Sequence, residues 1–312
     1  YERQQGLYNL WHYLLLFFLS LEAFRERSVR ELLLRSLLAS TVFVCLYGLV
    51  QACGLDFFSW GQSSQARIFS TFGQPNFLGH FLVVMVPLTL YAAAWLARTQ
   101  REQLGYRMLF GLELACLLFT YSRSAWLAGA VTAALVGLYL LVRNGRKKAA
   151  AVFATILLLI AAVSSLKPVQ SRLLETATAL NIKGVQRLVS IVDADNGSNR
   201  IRLLYWKAGL KDIAGASWKR KLFGYGPDTQ ASVYVRDYQP EWSYYESINS
   251  FPDRAHNFIL DVILQFGFIG LFALAWLFCT IVLRAFRRLR LLKGEEYWYG
   301  VSLLSALLAY AI

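Results

Sequence analysis

The stretch that decides the fold runs from Phe258 to Leu283 and reads FILDVILQFGFIGLFALAWLFCTIVL. It carries a single charged side chain, that of Asp261. A transmembrane helix needs about 20 predominantly apolar residues, because each residue advances the helix by about 1.5 Å and the hydrocarbon core is about 30 Å thick. The sequence therefore predicts a membrane-spanning helix here.

Seven further apolar runs predict about eight spans in total. The composition agrees, since 57% of the residues are hydrophobic and only 16% are charged, whereas soluble domains carry about a quarter charged residues. The predicted fold class is an all-α, polytopic transmembrane helix bundle, whose last run looks truncated, as in a piece of a longer protein. The seven runs are Leu7–Phe24, Leu32–Cys53, Phe77–Leu96, Leu104–Tyr121, Ala125–Val142, Ala149–Leu166 and Tyr297–Ile312.

Positive charge alternates from one connection between these runs to the next. Cytoplasmic loops of membrane proteins are enriched in Lys and Arg, so the clustered connections are predicted to face the cytoplasm, with the protein in the cytoplasmic membrane. The clusters are Arg25, Arg27, Arg30 and Arg35; Arg98, Arg101 and Arg107; Arg143, Arg146, Lys147 and Lys148; and Arg284, Arg287, Arg288, Arg290 and Lys293.

The longest connection, residues 167–255, is then predicted to face the periplasm or the outside. It carries thirteen Lys and Arg against nine Asp and Glu, and it is too long to be a simple connector. The predicted organisation is therefore membrane helices at 1–166, a partly helical extracytoplasmic loop at 167–255 and membrane helices at 256–312.

The net charge of +13 does not indicate a nucleic-acid partner, because the basic residues form short juxtamembrane clusters and no single stripe or tail. The cysteines have no CxxC spacing and lie in or beside apolar runs, so disulfides and zinc sites are not predicted. They are interpreted as small packing residues: Cys45, Cys53, Cys116 and Cys279.

Two arginines border predicted outer ends of spans. Arg67 precedes STFGQPN (Ser70–Asn76), which enters the third span. A guanidinium beside a helix start favours an anion, while the alternative is an ordinary turn with a helix cap. Arg123 lies in TYSRS (Thr120–Ser124), between spans that leave almost no loop. It can bind a diphosphate bidentately or reach lipid headgroups.

A third arginine lies in a helix predicted from about Ser198 within the long loop. Arg200 falls in its first turn, where the helix N-terminus also favours an anion. The alternative is a solvated basic face together with Lys207 and Lys211. The helix is marked by apolar residues at helical spacing: Ile201, Leu204, Tyr205 and Ala208.

His256 stands at the predicted outer mouth of the seventh span, just before Asn257. Asp253 or a neighbour is expected to cap that helix, with His256 in its first turn. Such a position disfavours the imidazolium, so the neutral ring can accept a proton. Asn257 and Asp261, one helical turn apart, are expected to orient polar partners. The alternative is a histidine that only satisfies hydrogen bonds at the interface.

Two further features receive structural interpretations. His12 and His80 lie in or near spans without an acidic partner in sequence, and are interpreted as packing or interface residues. The run Asp193–Asp195 resembles a metal-binding DxD, but such short patterns are common by chance and this one lies in a turn. No metal site is predicted.

In this order along the chain, the motifs resemble those of the O-antigen ligase and O-antigen polymerase family. The resemblance covers the chain from about Arg67 to Gly270, including the topology and the long outer loop before the histidine. The motifs are STFGQPN (70–76) after Arg67, TYSRS (120–124), SNR (198–200) with Trp206, GYGP (224–227), and AHN (255–257) with Leu260, Gly267 and Gly270.

The resemblance implies a GT-C-like membrane glycosyltransferase that acts outside the cytoplasmic membrane without a cofactor. Such enzymes pass a glycan from an undecaprenyl-pyrophosphate carrier to lipid A–core, to another glycan or to a protein hydroxyl. Ligases of the family need no metal. It implies that His256 is the essential base, that Arg123 and Arg200 bind the pyrophosphate, and that Arg67 is a further motif arginine. The supporting residues are Asn76, Ser122, Asn257 and Asp261.

Two other classes remain open. A transporter or flippase for lipid-linked glycans also needs many spans and interfacial arginines, but it needs no base. It should contain broken helices or repeated halves, and the sequence shows neither. In a structural or scaffolding membrane protein, the outer arginines and His256 would be dispensable.

Overall fold

The computed structural model describes residues 7–60, 67–164, 167–180, 184–186, 197–227, 229–246 and 251–311. Within these ranges the regular structure is entirely helical, which confirms the all-α class, and a helix occupies most of each predicted span. The helices are α1 (Leu7–Ala23), α2 (Arg27–Ala52), α3 (Pro75–Tyr91), α4 (Gln100–Phe119), α5 (Arg123–Arg143), α6 (Lys147–Ser164), α7 (Lys167–Ala179), α8 (Gly197–Gly215), α9 (Trp218–Phe223), α10 (Gln230–Arg236), α11 (Phe258–Leu289) and α12 (Gly294–Ala311).

Four of the described helices are long and apolar enough to cross a membrane. They are α2, α5, α11 and the continuous segment Pro75–Leu96, which joins α3 to a π-helical turn. A shorter apolar helix covers Trp11–Ala23. The protein is therefore a multi-pass membrane protein, and the count of eight spans stays a prediction.

The chain forms two compact units. The first unit contains Tyr1–Arg25 and Asp193–Arg284, and the second contains Glu26–Val192 and Ala285–Ile312. The predicted boundaries at residues 166 and 255 stay a prediction.

Helix α3 is the centre of the second unit, where it packs against α4, α5 and α12. Pro75 occupies the first turn of α3, where its missing N–H costs no hydrogen bond. Pro87 interrupts the hydrogen-bond ladder inside the helix. Leu78 and Leu82 are fully buried on the packed faces, so the helix that carries Asn76 and His80 is held firmly in the bundle.

The second unit has one strongly charged end. Arg27 bridges Glu295 at 2.7 Å and Glu31 at 2.9 Å. Arg98 bridges Glu31 at 3.0 Å, and Arg143 donates to the carbonyl of Leu289 at 2.7 Å. These side chains come from predicted cytoplasmic connections that are far apart in sequence. Their convergence supports the alternating topology, while the assignment of this end to the cytoplasm stays a prediction.

The first unit is organised around α8. Its predicted apolar stripe lies in the core, with Tyr205 3% exposed and Ala208 1% exposed. Trp242, which is fully buried, meets the Tyr205 ring edge-on at 5.0 Å between centroids. Arg200 lies on the exposed side of α8. The predicted helix and its apolar face are confirmed.

Helix α11 is broken at Gly267, so the expectation of unbroken helices is wrong. Gly267 has φ 68° and ψ −171°, a conformation that glycine adopts readily and other residues avoid. The break removes the partners that the carbonyls of Leu264 and Gln265 would otherwise have. They accept instead from the backbone N–H groups of Tyr225 at 2.7 Å and Gly226 at 3.0 Å.

A second glycine makes this docking possible. Gly224 has φ 76°, and a Cβ atom there would overlap the backbone of Gln265. A Cβ atom on Gly267 would likewise overlap the carbonyl of Leu222. Gly224 of the GYGP motif and Gly267 of α11 thus let the two segments fit backbone against backbone. The carbonyls of Leu264 and Gln265 are thus paired with the GYGP loop, whereas the unwound carbonyls of broken transporter helices coordinate ions.

Candidate functional site

The predicted site residues fall into two groups, one in each unit. The first unit holds Arg200, His256, Asn257 and Asp261, and the second holds Arg67, Asn76, Ser122 and Arg123. The DxD pattern at 193–195 lies outside the described residues. Among the residues that are described, no group of three His, Cys, Asp or Glu side chains is placed to hold a metal ion.

The backbone just before His256 is fixed by hydrogen bonds to both polar groups of Ala255. Ala255 is fully buried, and its N–H donates to Oδ1 of Asp261 at 2.7 Å. Its carbonyl accepts from the indole Nε1 of Trp206 in α8 at 2.9 Å. Hydrogen bonds to a charged acceptor are stronger than neutral ones, so Asp261 is the stronger of the two ties. The segment carrying His256 is therefore attached to both α8 and α11.

Asn257, and not Asp253, caps α11. Its Oδ1 accepts from the N–H groups of Ile259 at 3.1 Å and Leu260 at 3.3 Å, as an N-cap side chain does. The helix consequently begins at Phe258. His256 lies before the helix and outside its first turn, which corrects the sequence-based expectation.

His256 has φ 51°, in the left-handed region. Residues other than glycine occupy this region at a cost, and they do so mainly where the surrounding structure enforces it. Here the ties at Ala255 and Asn257 enforce it. The imidazole is left exposed at the surface, so the side chain is presented by a backbone that is itself held in place.

The pKa of His256 lies below its ordinary value. The first cause is partial desolvation beside the protein surface, followed by the positive charges of Arg202 and Arg254. The carboxylates of Asp261 and Glu246 oppose the shift without reversing it. The lowered pKa matches the direction expected from the sequence. Partial desolvation and the two arginines cause it, and not a position in the first turn of a helix. A neutral imidazole can accept a proton at neutral pH.

Arg202 is not among the site residues predicted from the sequence, although its charge acts on His256. Residues four apart lie on the same face of a helix, so Arg202 shares its face with Trp206, which contacts Ala255. Arg200, two residues earlier, points to another face and lies 3.7 Å from Glu241. Arg202 is also only partly exposed, and its charge acts on His256. The signal in the sequence was the four-residue spacing from Trp206.

In the second unit, Arg67 ties two turns together. Its Nε donates to the carbonyl of Thr120 at 2.9 Å, and its Nη2 donates to Oδ1 of Asn76 at 3.1 Å. The Ser122 hydroxyl donates to the same Asn76 oxygen at 3.0 Å. The structure thus brings Arg67, Asn76 and Ser122 together. Two nitrogens of the Arg67 guanidinium donate hydrogen bonds within the protein.

The hydrogen bonds continue from Ser122 to His80. Ser122 Oγ lies 3.3 Å from Ser124 Oγ, and Ser124 Oγ lies 3.2 Å from Nε2 of His80. His80 and Ser124 therefore belong to this network, whereas the sequence indicated a packing or interface residue at His80. A Cβ atom on Gly79 would lie 2.7 Å from Cβ of Ala125, so glycine is what lets α3 and α5 approach closely here.

Arg123 is the first residue of α5. Ser122 caps the helix through the N–H of Ala125, and the guanidinium side chain is partly buried. Tyr121, just before the cap, has φ 47°. An arginine at a helix N-terminus adds its charge to the helix dipole, an arrangement suited to an anionic group.

Comparison with known families finds a match. The sequence model described as O-antigen ligase matches residues 108–275, which is more than half of the chain. The matched segment includes Ser122, Arg123, Arg200, Arg202 and the His256 region, but not Arg67 or Asn76. A search of curated proteins finds no match.

Proposed function

Because the chain belongs to the O-antigen ligase family, we propose that it transfers a glycan from an undecaprenyl-pyrophosphate carrier to an acceptor hydroxyl. We place this reaction at the outer face of the cytoplasmic membrane, in accord with the alternating charge of the connections. Acceptors of this class are lipid A–core, a second carrier-linked glycan or a protein hydroxyl. The observation that carries the proposal is the His256 segment, which presents an exposed imidazole from a fixed backbone within the matched region.

His256 acts as the base. It removes the proton of the acceptor hydroxyl while the oxygen attacks the anomeric carbon of the carried sugar. The bond from that carbon to the pyrophosphate oxygen breaks, so undecaprenyl pyrophosphate leaves with the electron pair and the anomeric configuration inverts. General base catalysis of this kind typically contributes about 10²–10⁴-fold. The attachment of Ala255 to Asp261 and Trp206 supports this role, because a base must be positioned accurately to act.

The arginines act on the leaving group. Negative charge grows on the pyrophosphate as the glycosidic bond breaks, and fixed guanidinium groups stabilise developing charge without a metal ion. Arg123 and Arg67 bind the pyrophosphate, with Asn76 and Ser122 orienting Arg67. Arg202 joins Arg200 in this proposal, since it is Arg202 that shares a helix face with Trp206.

The decisive experiment uses the purified chain in detergent with carrier-linked glycan and candidate acceptors. Glycan transfer and released undecaprenyl pyrophosphate are measured together. The wild-type chain should release one carrier for each glycan transferred, and His256→Ala should lower transfer by at least 100-fold while carrier binding persists. Normal transfer by His256→Ala would remove this residue from the mechanism.

A matched control is His12→Ala, because His12 is also exposed and lies outside the proposed site. It should transfer at the wild-type rate. A chain that binds the carrier but releases no pyrophosphate with any acceptor would favour the transporter alternative. Movement of labelled carrier-linked glycan across proteoliposomes would then be the measurement to make.

A further inference from the structure

The first unit contains a cleft that the transfer mechanism does not use. It has a volume of about 540 Å³, within the range of roughly 300–1,000 Å³ typical of small-ligand sites. It is formed by the C-terminal part of α8, the α8–α9 turn, α9, the GYGP motif and the end of α10. Neither His256 nor any predicted arginine is among its lining residues.

Tyr225 is the aromatic side chain of this cleft. The Arg220 guanidinium lies 4.6 Å from the centre of its ring and that of Arg236 lies 5.5 Å from it, both within cation–π distance. The Tyr225 backbone is fixed by its hydrogen bond to Leu264 at the break in α11. The two guanidinium groups are thus arranged around a ring that cannot shift easily.

Asp212 supplies a buried acceptor. Its side chain is 10% exposed, and its Oδ1 accepts from Arg236 at 3.1 Å. Its Oδ2 is buried and has no hydrogen-bond partner among the described residues, although buried polar atoms are normally paired. Tyr225 belongs to the same lining, and its hydroxyl can donate or accept a hydrogen bond.

The charges of the cleft are mixed and unequal. Lys211, Arg220 and Arg236 face two carboxylates, those of Asp212 and Asp237, and Lys211 lies 3.6 Å from Asp237. One positive charge therefore remains in excess. Guanidinium groups bind planar acid groups bidentately, while carboxylates accept hydrogen bonds from hydroxyls. A ligand that satisfies both carries an acid group and several hydroxyls.

We propose that this cleft is a binding site for an acidic sugar unit, a hexose that carries a carboxylate or a phosphate. This inference rests on the proposed function, which makes glycans the substrates of the chain. The acid group pairs with Arg220, and sugar hydroxyls reach Asp212 and the Tyr225 hydroxyl. The acidic unit can belong to the transferred glycan or to the acceptor, since the same chemistry serves both.

The first test is direct binding to the purified full chain in detergent, measured by calorimetry. The probes are a glucuronate-containing tetrasaccharide and glucose 6-phosphate, with maltotetraose as the neutral control. At least one acidic probe should bind ten or more times tighter than the neutral one. Equal binding of acidic and neutral probes, or no binding of either acidic probe, overturns the proposal.

The second test compares two exposed cations on α9. Arg220→Gln removes the guanidinium over Tyr225, whereas Lys219→Gln removes the same charge one residue away, outside the lining of the cleft. Arg220→Gln should weaken binding of the acidic probe at least tenfold, and Lys219→Gln less than twofold. Equal losses would mean general attraction of anions and would overturn the site. Both side chains are exposed, so neither change threatens the fold.

A transfer assay separates this proposal from the proposed function and identifies the source of the sugar. Arg220→Gln is compared with wild type on an acidic donor with a neutral acceptor, and on the reverse pair. A higher KM of Arg220→Gln for either acidic partner supports the proposed site and shows whether the acidic sugar belongs to the donor or to the acceptor. An unchanged KM for both partners overturns the proposal. If the wild-type chain transfers no glycan but its binding of the acidic probe still depends on Arg220, the proposed function is overturned and the binding site is not.

Discussion

The Arg67 network and the His256 segment each hold a candidate functional side chain, but in opposite ways. Arg67 is itself the tie, because its guanidinium joins Thr120 to Asn76. At His256 the backbone is tied through Ala255, and the imidazole is left exposed. The Arg67 network therefore joins helix ends to one another, while the His256 segment presents an exposed imidazole from a fixed backbone. This difference predicts that mutations in the two regions will affect different measurements.

The largest effect is expected where the backbone docking of the first unit is destroyed. Gly267→Ala forces a left-handed φ on alanine and drives its Cβ into the Leu222 carbonyl. We expect a loss on the order of 3 kcal/mol of folding free energy, measured as a lower unfolding temperature in detergent. Gly105→Ala is the control, since nothing lies within 4 Å of a Cβ there. An unshifted transition for Gly267→Ala would contradict the described break.

Removing the Asp261 carboxylate that holds the backbone before His256 should reduce the rate of glycan transfer and leave carrier binding intact. Asp261→Ala leaves the Ala255 N–H without its charged acceptor, a loss of about 1.5–3 kcal/mol. If this loss is realised in the transition state, transfer falls by about 10–100-fold. Asp261→Asn keeps an acceptor oxygen and should restore part of the rate. The control reading is carrier affinity, and a fall in affinity equal to the fall in rate would contradict a positioning role.

The matching change in the Arg67 network should weaken carrier binding more than it lowers the rate of transfer. Arg67→Lys keeps the charge but cannot hold Thr120 and Asn76 with one planar group. We expect about tenfold weaker carrier binding, or about 1.4 kcal/mol, with a smaller fall in the rate from bound carrier, because lysine keeps the positive charge beside the leaving group. Binding titration and single-turnover transfer measure the two quantities separately. If the rate falls and binding does not, the contrast between the regions is wrong.

The smallest expected effect is a shift in the pH dependence of transfer, and it distinguishes Arg202 from Arg200 in α8. A base acts when neutral, so transfer should rise as pH increases through the pKa of His256 and then level off. Since the Arg202 charge lowers that pKa, Arg202→Gln should raise it and move the rising limb to higher pH. Arg200→Gln should leave the limb in place, because Arg200 faces Glu241. The measurement is kcat/KM against pH for the three chains.

The sequence by itself determined the all-α, multi-pass membrane class and the apolar face of α8. Both follow from local patterns: the length of an apolar run decides whether a helix crosses a bilayer, and helical spacing decides which side chains share a face. It also indicated His256, Arg67, Asn76 and Ser122 through their motifs. The hydrogen bonds among the last three are found in the structure, and the chemical roles stay proposals.

Only the tertiary structure decided how the candidate groups are held. The Trp206–Ala255 bond joins residues 49 apart in sequence, and the bond from Arg67 to Thr120 spans 53. No local pattern encodes such pairs. The break at Gly267, the cap at Asn257 and the face chosen by Arg202 depend in the same way on distant partners. Apolar length and periodicity are properties of a segment, whereas a hydrogen bond needs both of its ends.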